Sequence, residues 1–200
     1  MPQALSGWRP TVTMNGTAGY VAGQSAAYVA GAGGPGTVYR ARDTRVGRTV
    51  AVRLLDGVIP DPLRRTRAID LIQPYTAVSH PHVATLFEVG EHDGSVYLVH
   101  EFVLGDTLAI LTAGRPLNVR RAVDVATQVA DALADAHSLD LVHGALNPAT
   151  VVVTTKGHAK ILDIGLTAWS REEGSSLTAD GLAAGLTADP EAVGCMAPEQ

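Results

Sequence analysis

One cysteine and two lysines are all that this chain of 200 residues holds of either type, at Cys195, Lys156 and Lys160. With a single thiol no intrachain disulfide can form, and the reducing cytoplasm is the expected compartment. Cys195 itself reads as a small apolar filler. With no lysine before residue 156, any site in the earlier chain that needs a compact ammonium group is excluded. Charge is sparse as well: 18% of residues are charged and 46% hydrophobic, far from the disordered range. The formal net charge of −5 and a pI near 5.7 give no general attraction to nucleic acid or to an anionic membrane, so a phosphate site must be local. No run of eighteen uncharged apolar residues occurs and no signal-peptide run follows the N-terminus, so neither a membrane span nor a leader is expected. No internal repeat is visible.

What is present has an α+β order. Residues 1–27, rich in Gly, Ala, Ser and Thr, read as a flexible N-terminal tail. Tyr28–Ala30, Gly36–Arg42 and Thr49–Leu55 read as strands of a meander joined by Gly-rich and "DTRVG" turns. Pro62 to about Gln73 suits a helix, with Pro favoured at its first position after Asp61 and Pro74 ending or kinking it. Val83–Val89 and Ser95–Phe102 flank the turn "EHDG" as two further strands. Behind the cap Asn118, Val119–Ser138 places Ala122, Val125, Ala126, Val129, Leu133 and Ala136 on one helical face.

"GAGGPGTV" sets Gly31, Gly33, Gly36 and Val38 in the order G-x-G-x-x-G-x-V. Dinucleotide binding would need a helix opening at that loop, and "TVYRAR" reads as a strand. A plain hairpin and a loop lying over a phosphate chain both remain open, since backbone amides without side chains approach phosphate closely. "VAVR" (Val50–Arg53) follows, alone an ordinary buried strand, then "YLVHEFVLGDTL", "LVHGALNPATVVV", "AKILDIG" and "CMAPEQ". In that order these stretches resemble the domain of a bacterial serine/threonine protein kinase, from about Tyr28 to Gln200.

The resemblance implies a bilobal kinase-like fold, with an antiparallel-sheet small lobe and hinge over residues 28–103 and the first part of a helical large lobe over 104–200. The sequence then reads as the front part of something longer, ending after A-P-E, with a later membrane span left open. It further implies ATP and Mg²⁺ as ligands. Gly31, Gly33, Gly36 and Val38 match the loop over ATP, Ala51 and Val152 the adenine walls, and Glu101 to Val103 the hinge. His100 takes the mouth of the back pocket. Asp163, with Ile164 and Gly165, matches the metal-binding D-F-G triplet, and Ala197, Pro198 and Glu199 match A-P-E. His143, Ile164 and Leu86 are expected to stack through the core.

The departures bear on chemistry. Arg53 stands where the family has the lysine that grips the phosphates and pairs with a helix glutamate; it keeps the charge in a longer, planar fork. The helix partner is also missing, since its position falls near Asp70 and Leu71, where Asp70 is one methylene short, and no small-lobe lysine can substitute. In the catalytic loop Gly144 replaces the arginine that clamps a phosphorylated loop. Ala145 replaces the base, Asn147 the phosphate-neutralising lysine, and Thr150 the asparagine that holds a second Mg²⁺. Ala192 falls at a substrate-side threonine. Asp140, before His143, belongs to the turn after the helix and is expected to point away. Loss of the base alone costs ~10²- to 10⁴-fold in rate, or roughly 3–5 kcal/mol, and lost charge stabilisation adds to it. Ser175, Ser176, Thr178 and Thr187 lie in a solvated loop open to modification. The expectation is therefore a pseudokinase: a cytoplasmic module with no catalytic residues in the loop, whose partner is another signalling protein and whose nucleotide is ATP with Mg²⁺ on Asp163. The alternative is an atypical active kinase using Arg53 and Asp163. A third reading is a fragment that binds no nucleotide.

Overall fold

Two tight turns decide the first sheet. β3 (Thr37–Asp43) and β4 (Arg48–Leu54) are closed by the expected "DTRVG" turn, in which the Gly47 N–H donates to the Asp43 carbonyl at 2.9 Å. β5 (Leu86–His92) and β6 (Ser95–Glu101) meet at Asp93-Gly94, both with positive φ, the geometry a two-residue hairpin loop requires. The computed structural model describes residues 11–14, 18–25, 36–55 and 59–167. Within it β1 (Thr11–Met14) and β2 (Ala18–Ser25) join these strands in a six-stranded antiparallel sheet of order β1-β2-β3-β4-β6-β5.

β1 and β2 place strands within the stretch read as a flexible tail, residues 1–27, whose other residues lie outside the described ones. Their Gly, Ala, Ser and Thr residues carry no period-two pattern to announce a strand. The open edge of β3 supplies backbone partners instead, setting Tyr20 opposite Asp43 and Val21 opposite Arg42. The strand expected at Tyr28–Ala30 lies outside the described residues.

α1 (Pro62–Ile72) begins as the sequence indicates: Asp61 Oδ1 accepts from the Leu63 N–H at 2.9 Å and Pro62 occupies the first turn. Pro74 ends it, and a 3₁₀ turn over Gln73–Ala77 follows. β7 (Gly105–Thr107) and the short α2 (Leu108–Thr112) precede α3 (Val119–Ser138), which has the expected bounds and Asn118 Oδ1 accepting from the Arg121 N–H at 2.9 Å. Its packed face follows the expected stripe at Val125, Val129, Leu133 and Ala136, with Ala132 added, while Ala122 and Ala126 are exposed. The cause is the neighbouring pair β8 (Val151–Thr154) and β9 (Ala159–Ile161). Val125 packs with Val151, Val153 and Ala159, and Ala132 and Ala136 with Ile161 and Ile164, so those contacts choose the stripe.

β7, β8 and β9 form a second antiparallel sheet. It is fastened to the first lobe through the backbone: the Ala84 N–H donates to the Ile161 carbonyl and the Ile161 N–H to the His82 carbonyl, each at 2.8 Å. His80, preceding that crossing, sets Nε2 3.3 Å from Asp131 Oδ2 on α3. One apolar core runs across the crossing, taking Ile72 and Tyr75 from the α1 segment, Leu86 and Leu98 from the sheet, Ala136 from α3, and Ile161 and Ile164. Among the described residues no helix is long and apolar enough to cross a membrane.

Candidate functional site

Strand register builds the floor of a cleft between the two sheets. Directly paired residues share a face, so pairing Ala51 with His100 and Arg53 with Leu98 turns Ala51, Arg53 and His100 toward one side. From the opposite side come Val152 of β8 and the segment after β9, Leu162 and Asp163. Val38, Ala51 and Val152, expected as the adenine walls, line one cleft together with Glu101, Val103, Arg53 and Asp163. The cleft is partly open to solvent. Of the glycines, Gly36 has φ +103 and its absent Cβ would sit 2.0 Å from the Leu54 carbonyl oxygen. That close approach to β4 requires glycine whether or not a phosphate lies above. Gly31, Gly33, the activation-segment Ser and Thr residues, Ala192, Cys195 and A-P-E lie outside the described residues.

The strongest polar contact in the cleft joins two sequence-marked residues 110 positions apart: Arg53 Nη2 lies 2.6 Å from Asp163 Oδ1. Arg53 is 1% exposed, so the pair is desolvated, and removing one member of such a pair costs roughly 3–5 kcal/mol. Asp163 reaches the contact from a left-handed backbone, φ 58. Asp70, near the position where the resemblance leaves the helix partner missing, is exposed on α1, whose buried positions are Ala68 and Ile72. Asp163 Oδ2 and both ring nitrogens of His100 are buried and have no hydrogen-bond partner among the described residues. Burial, with the Arg53 charge nearby and Asp163 opposing, lowers the His100 pKa to about 4, so the ring is neutral at physiological pH.

The catalytic-loop segment spends its polar groups on itself. His143, 2% exposed, donates from Nε2 to the Leu162 carbonyl at 2.7 Å and accepts at Nδ1 from the Ala145 N–H at 3.3 Å. Both nitrogens are used only in the neutral Nε2–H tautomer, and burial lowers its pKa. Asn147 Oδ1 accepts from the Ala149 N–H at 2.8 Å and the Thr150 N–H at 3.2 Å, while Nδ2 donates to the Ala145 carbonyl. The Thr150 hydroxyl donates to the Asn147 carbonyl and accepts from the Asn147 N–H, each at 3.0 Å. The two side chains that replace the lysine and the asparagine thus close a turn, and Ala145 supplies a methyl. Asp140 is exposed in the turn that ends α3.

Two contacts were hidden from sequence reasoning. Tyr75 lays its ring against Gly165, where an added Cβ would sit 2.8 Å from the ring, and donates its hydroxyl to the Val142 carbonyl at 3.1 Å. Lys160 sets Nζ 2.8 Å from Glu101 Oε2 at the hinge and donates to the Val83 carbonyl at 3.3 Å. The order "QPYT" carries no sign of the first. The pattern of β9, with Lys160 between buried Ala159 and Ile161, places the lysine on the face away from the core, and a pairing with Glu101 is then a matter of which strand lies there.

The divalent cation implied by the resemblance fits these residues poorly. Mg²⁺ wants near-octahedral oxygens, commonly from one or two carboxylates and the ligand's phosphates. Here Asp163 gives one oxygen to Arg53, Thr150 is turned into its own loop, and no group of three or more acidic, His or Cys side chains among the described residues could hold a metal. Only the orphaned Oδ2 faces the other way.

Comparisons with known proteins agree with this architecture. A protein-family model, the protein kinase domain, matches residues 27–194. A probable serine/threonine-protein kinase of Streptomyces coelicolor is 33% identical over 156 residues, covering 75% of this chain and 23% of that protein. Serine/threonine-protein kinase PrkC of Bacillus subtilis is 32% identical over 142 residues, covering 69% of this chain and 22% of that protein. The chain therefore spans under a quarter of the length of these two relatives. Among solved structures, the PknI kinase domain of Mycobacterium tuberculosis superposes with a TM-score of 0.63 at 26% identity, over 74% of this chain and 58% of that one.

Proposed function

This chain belongs to the protein kinase domain family, and from that premise we propose that it is a pseudokinase: a nucleotide- or protein-binding signalling module whose phosphoryl transfer is impaired. The observation that carries the reading is the catalytic loop. At the base position Ala145 has no group that can take a proton, and Asn147 and Thr150 hydrogen-bond to each other's backbone and side chain instead of facing a phosphate or a metal. Phosphoryl transfer is mostly positioning and charge stabilisation, and here the positive charge of Arg53 is neutralised by Asp163 at 2.6 Å. The apolar walls Val38, Ala51 and Val152 suit the two faces of a purine, which supports ATP as a ligand of the frame. ATP would supply the transferable phosphoryl group. The cytoplasm as compartment and another signalling protein as partner belong to the same proposal.

The test is incubation with γ-labelled ATP and Mg²⁺, alone and with a generic basic protein, beside a chain of the same family that has all its catalytic-loop residues. We expect no label above background. Label that disappears in Ala145→Val, which blocks the loop, or in Asp163→Asn would overturn the reading in favour of an active kinase.

A further inference from the structure

Three buried side-chain atoms have no hydrogen-bond partner among the described residues, and all three belong to residues lining one cleft: Nδ1 and Nε2 of His100 and Oδ2 of Asp163. A fold leaves such atoms unpaired at a loss of stability, so a group of them in one cleft points to a partner that enters from outside. Strand register places the ring. Ala51 and Leu86 are paired with His100 on either side, share its face and offer no polar group, and the residue is 7% exposed. Buried there, the imidazole is neutral, with one nitrogen a donor and the other an acceptor. Of the two charges near it, the Asp163 carboxylate outweighs the Arg53 guanidinium, which favours the ring proton on the nitrogen nearer the carboxylate. The other nitrogen is then an acceptor that needs a donor.

We propose that this acceptor makes His100 a specificity-determining residue: it takes a hydrogen bond from the exocyclic amino group of a purine held between Val38, Ala51 and Val152, so that the cleft selects a 6-amino over a 6-oxo base. The inference rests on the pseudokinase reading for its ligand class. The apolar walls grip the two faces of any purine alike and carry no information about its edge. An edge is told apart by a polar group at a fixed position. A carbonyl facing the imidazole lone pair forms no bond there and leaves two acceptors desolvated. Leucine at position 100 would give a more stable cleft and a less selective one, and that opposition separates a role in recognition from a role in packing.

Calorimetric titration of the whole chain with ATP and with inosine triphosphate, in the same Mg²⁺ buffer, reads the proposal directly. The two ligands share ribose and phosphates and differ in the 6-amino or 6-oxo group and the proton it sets at N1. Wild type is expected to bind ATP about tenfold more tightly or better. In His100→Leu that ratio should fall by about fivefold or more, while urea unfolding of the unliganded variant shows a more stable protein. His100→Gln, whose amide oxygen can accept, should keep most of the ratio. A purely structural role for His100 would change stability and leave the ratio as it is. Equal affinity for the two nucleotides in wild type overturns the proposal, as does an unchanged ratio in His100→Leu or an absence of binding by both nucleotides. The wild-type comparison stands even where a variant fails to fold. Label transfer measured on the same samples bears on impaired phosphoryl transfer alone, so the two readings fail separately.

Discussion

His100→Leu is expected to stabilise this protein, and most of all in mild acid. The ring is 7% exposed and neither nitrogen has a partner among the described residues. A buried donor or acceptor left unpaired costs about 1–3 kcal/mol, and leucine has similar bulk with no polar atom. At pH 7.5 the gain should be about 1–3 kcal/mol, or roughly 2–10 °C in melting temperature for a chain of this length. The pH dependence follows from linkage. In the unfolded chain the imidazole titrates near 6.5, and in the folded chain burial holds it to about 4. Above 6.5 both states are neutral at this residue and its titration costs the fold nothing. Between 6.5 and 4 the unfolded chain takes up a proton that the folded ring refuses, so stability falls as pH falls, by at most roughly 3 kcal/mol for that gap. His143 is shifted in the same direction and persists in the variant, so some acid sensitivity remains. The assay is urea denaturation of wild type and variant at pH 7.5 and pH 5. A variant no more stable at pH 7.5, with the wild-type loss on acidification, would refute the reasoning, because it would mean that the ring is satisfied or hydrated.

Gly165→Ala should cost more than the roughly 1–3 kcal/mol of a strained backbone, since Gly165 has φ +87 and the new Cβ would press on the Tyr75 ring at 2.8 Å; denaturant midpoints check it, and a neutral result would place Tyr75 elsewhere. Asn147→Ala leaves the Ala149 and Thr150 N–H groups without their acceptor and is expected to cost about 1–2 kcal/mol, with faster amide exchange over residues 145–150. An unchanged exchange rate there would return Asn147 to the cleft.

How far the sequence carries can be judged residue by residue. The hairpin at Asp93-Gly94 and the bounds and cap of α3 are local matters of turn chemistry and periodicity, so they are legible, as is the meeting of Val38, Ala51 and Val152 once motif order identifies the fold. The α3 stripe is legible at Val125, Val129, Leu133 and Ala136, but not among its alanines, because those at 122 and 126 carry almost the same pattern value as those at 132 and 136 and only the strands packed beside the helix distinguish them. β1 and β2 leave no signal, since strand pairing there is a backbone affair. The Arg53 contact is half legible: the substitution is local, but its partner lies 110 residues away and the sequence offers no helix partner in its place. That Asn147 and Thr150 lack the family's groups is plain from residue type, yet that they fold back on each other depends on turn geometry that residue type does not state.

That fold-back changes what Asp163 means. A motif aspartate still in its place suggests surviving metal chemistry, and in the sequence it is the one such residue left. In the folded protein it has a different and sufficient cause. Arg53 lies on the inner face of β4 because alternation puts it there, opposite Leu98 and between buried Val52 and partly buried Leu54, and a guanidinium 1% exposed needs a counter-charge at a cost of roughly 3–5 kcal/mol if it is removed. Asp163 provides that charge. The dependence runs both ways, because the carboxylate is itself held in a left-handed backbone at the entrance to the core. Arginine at position 53 therefore explains the aspartate at 163 without any reaction.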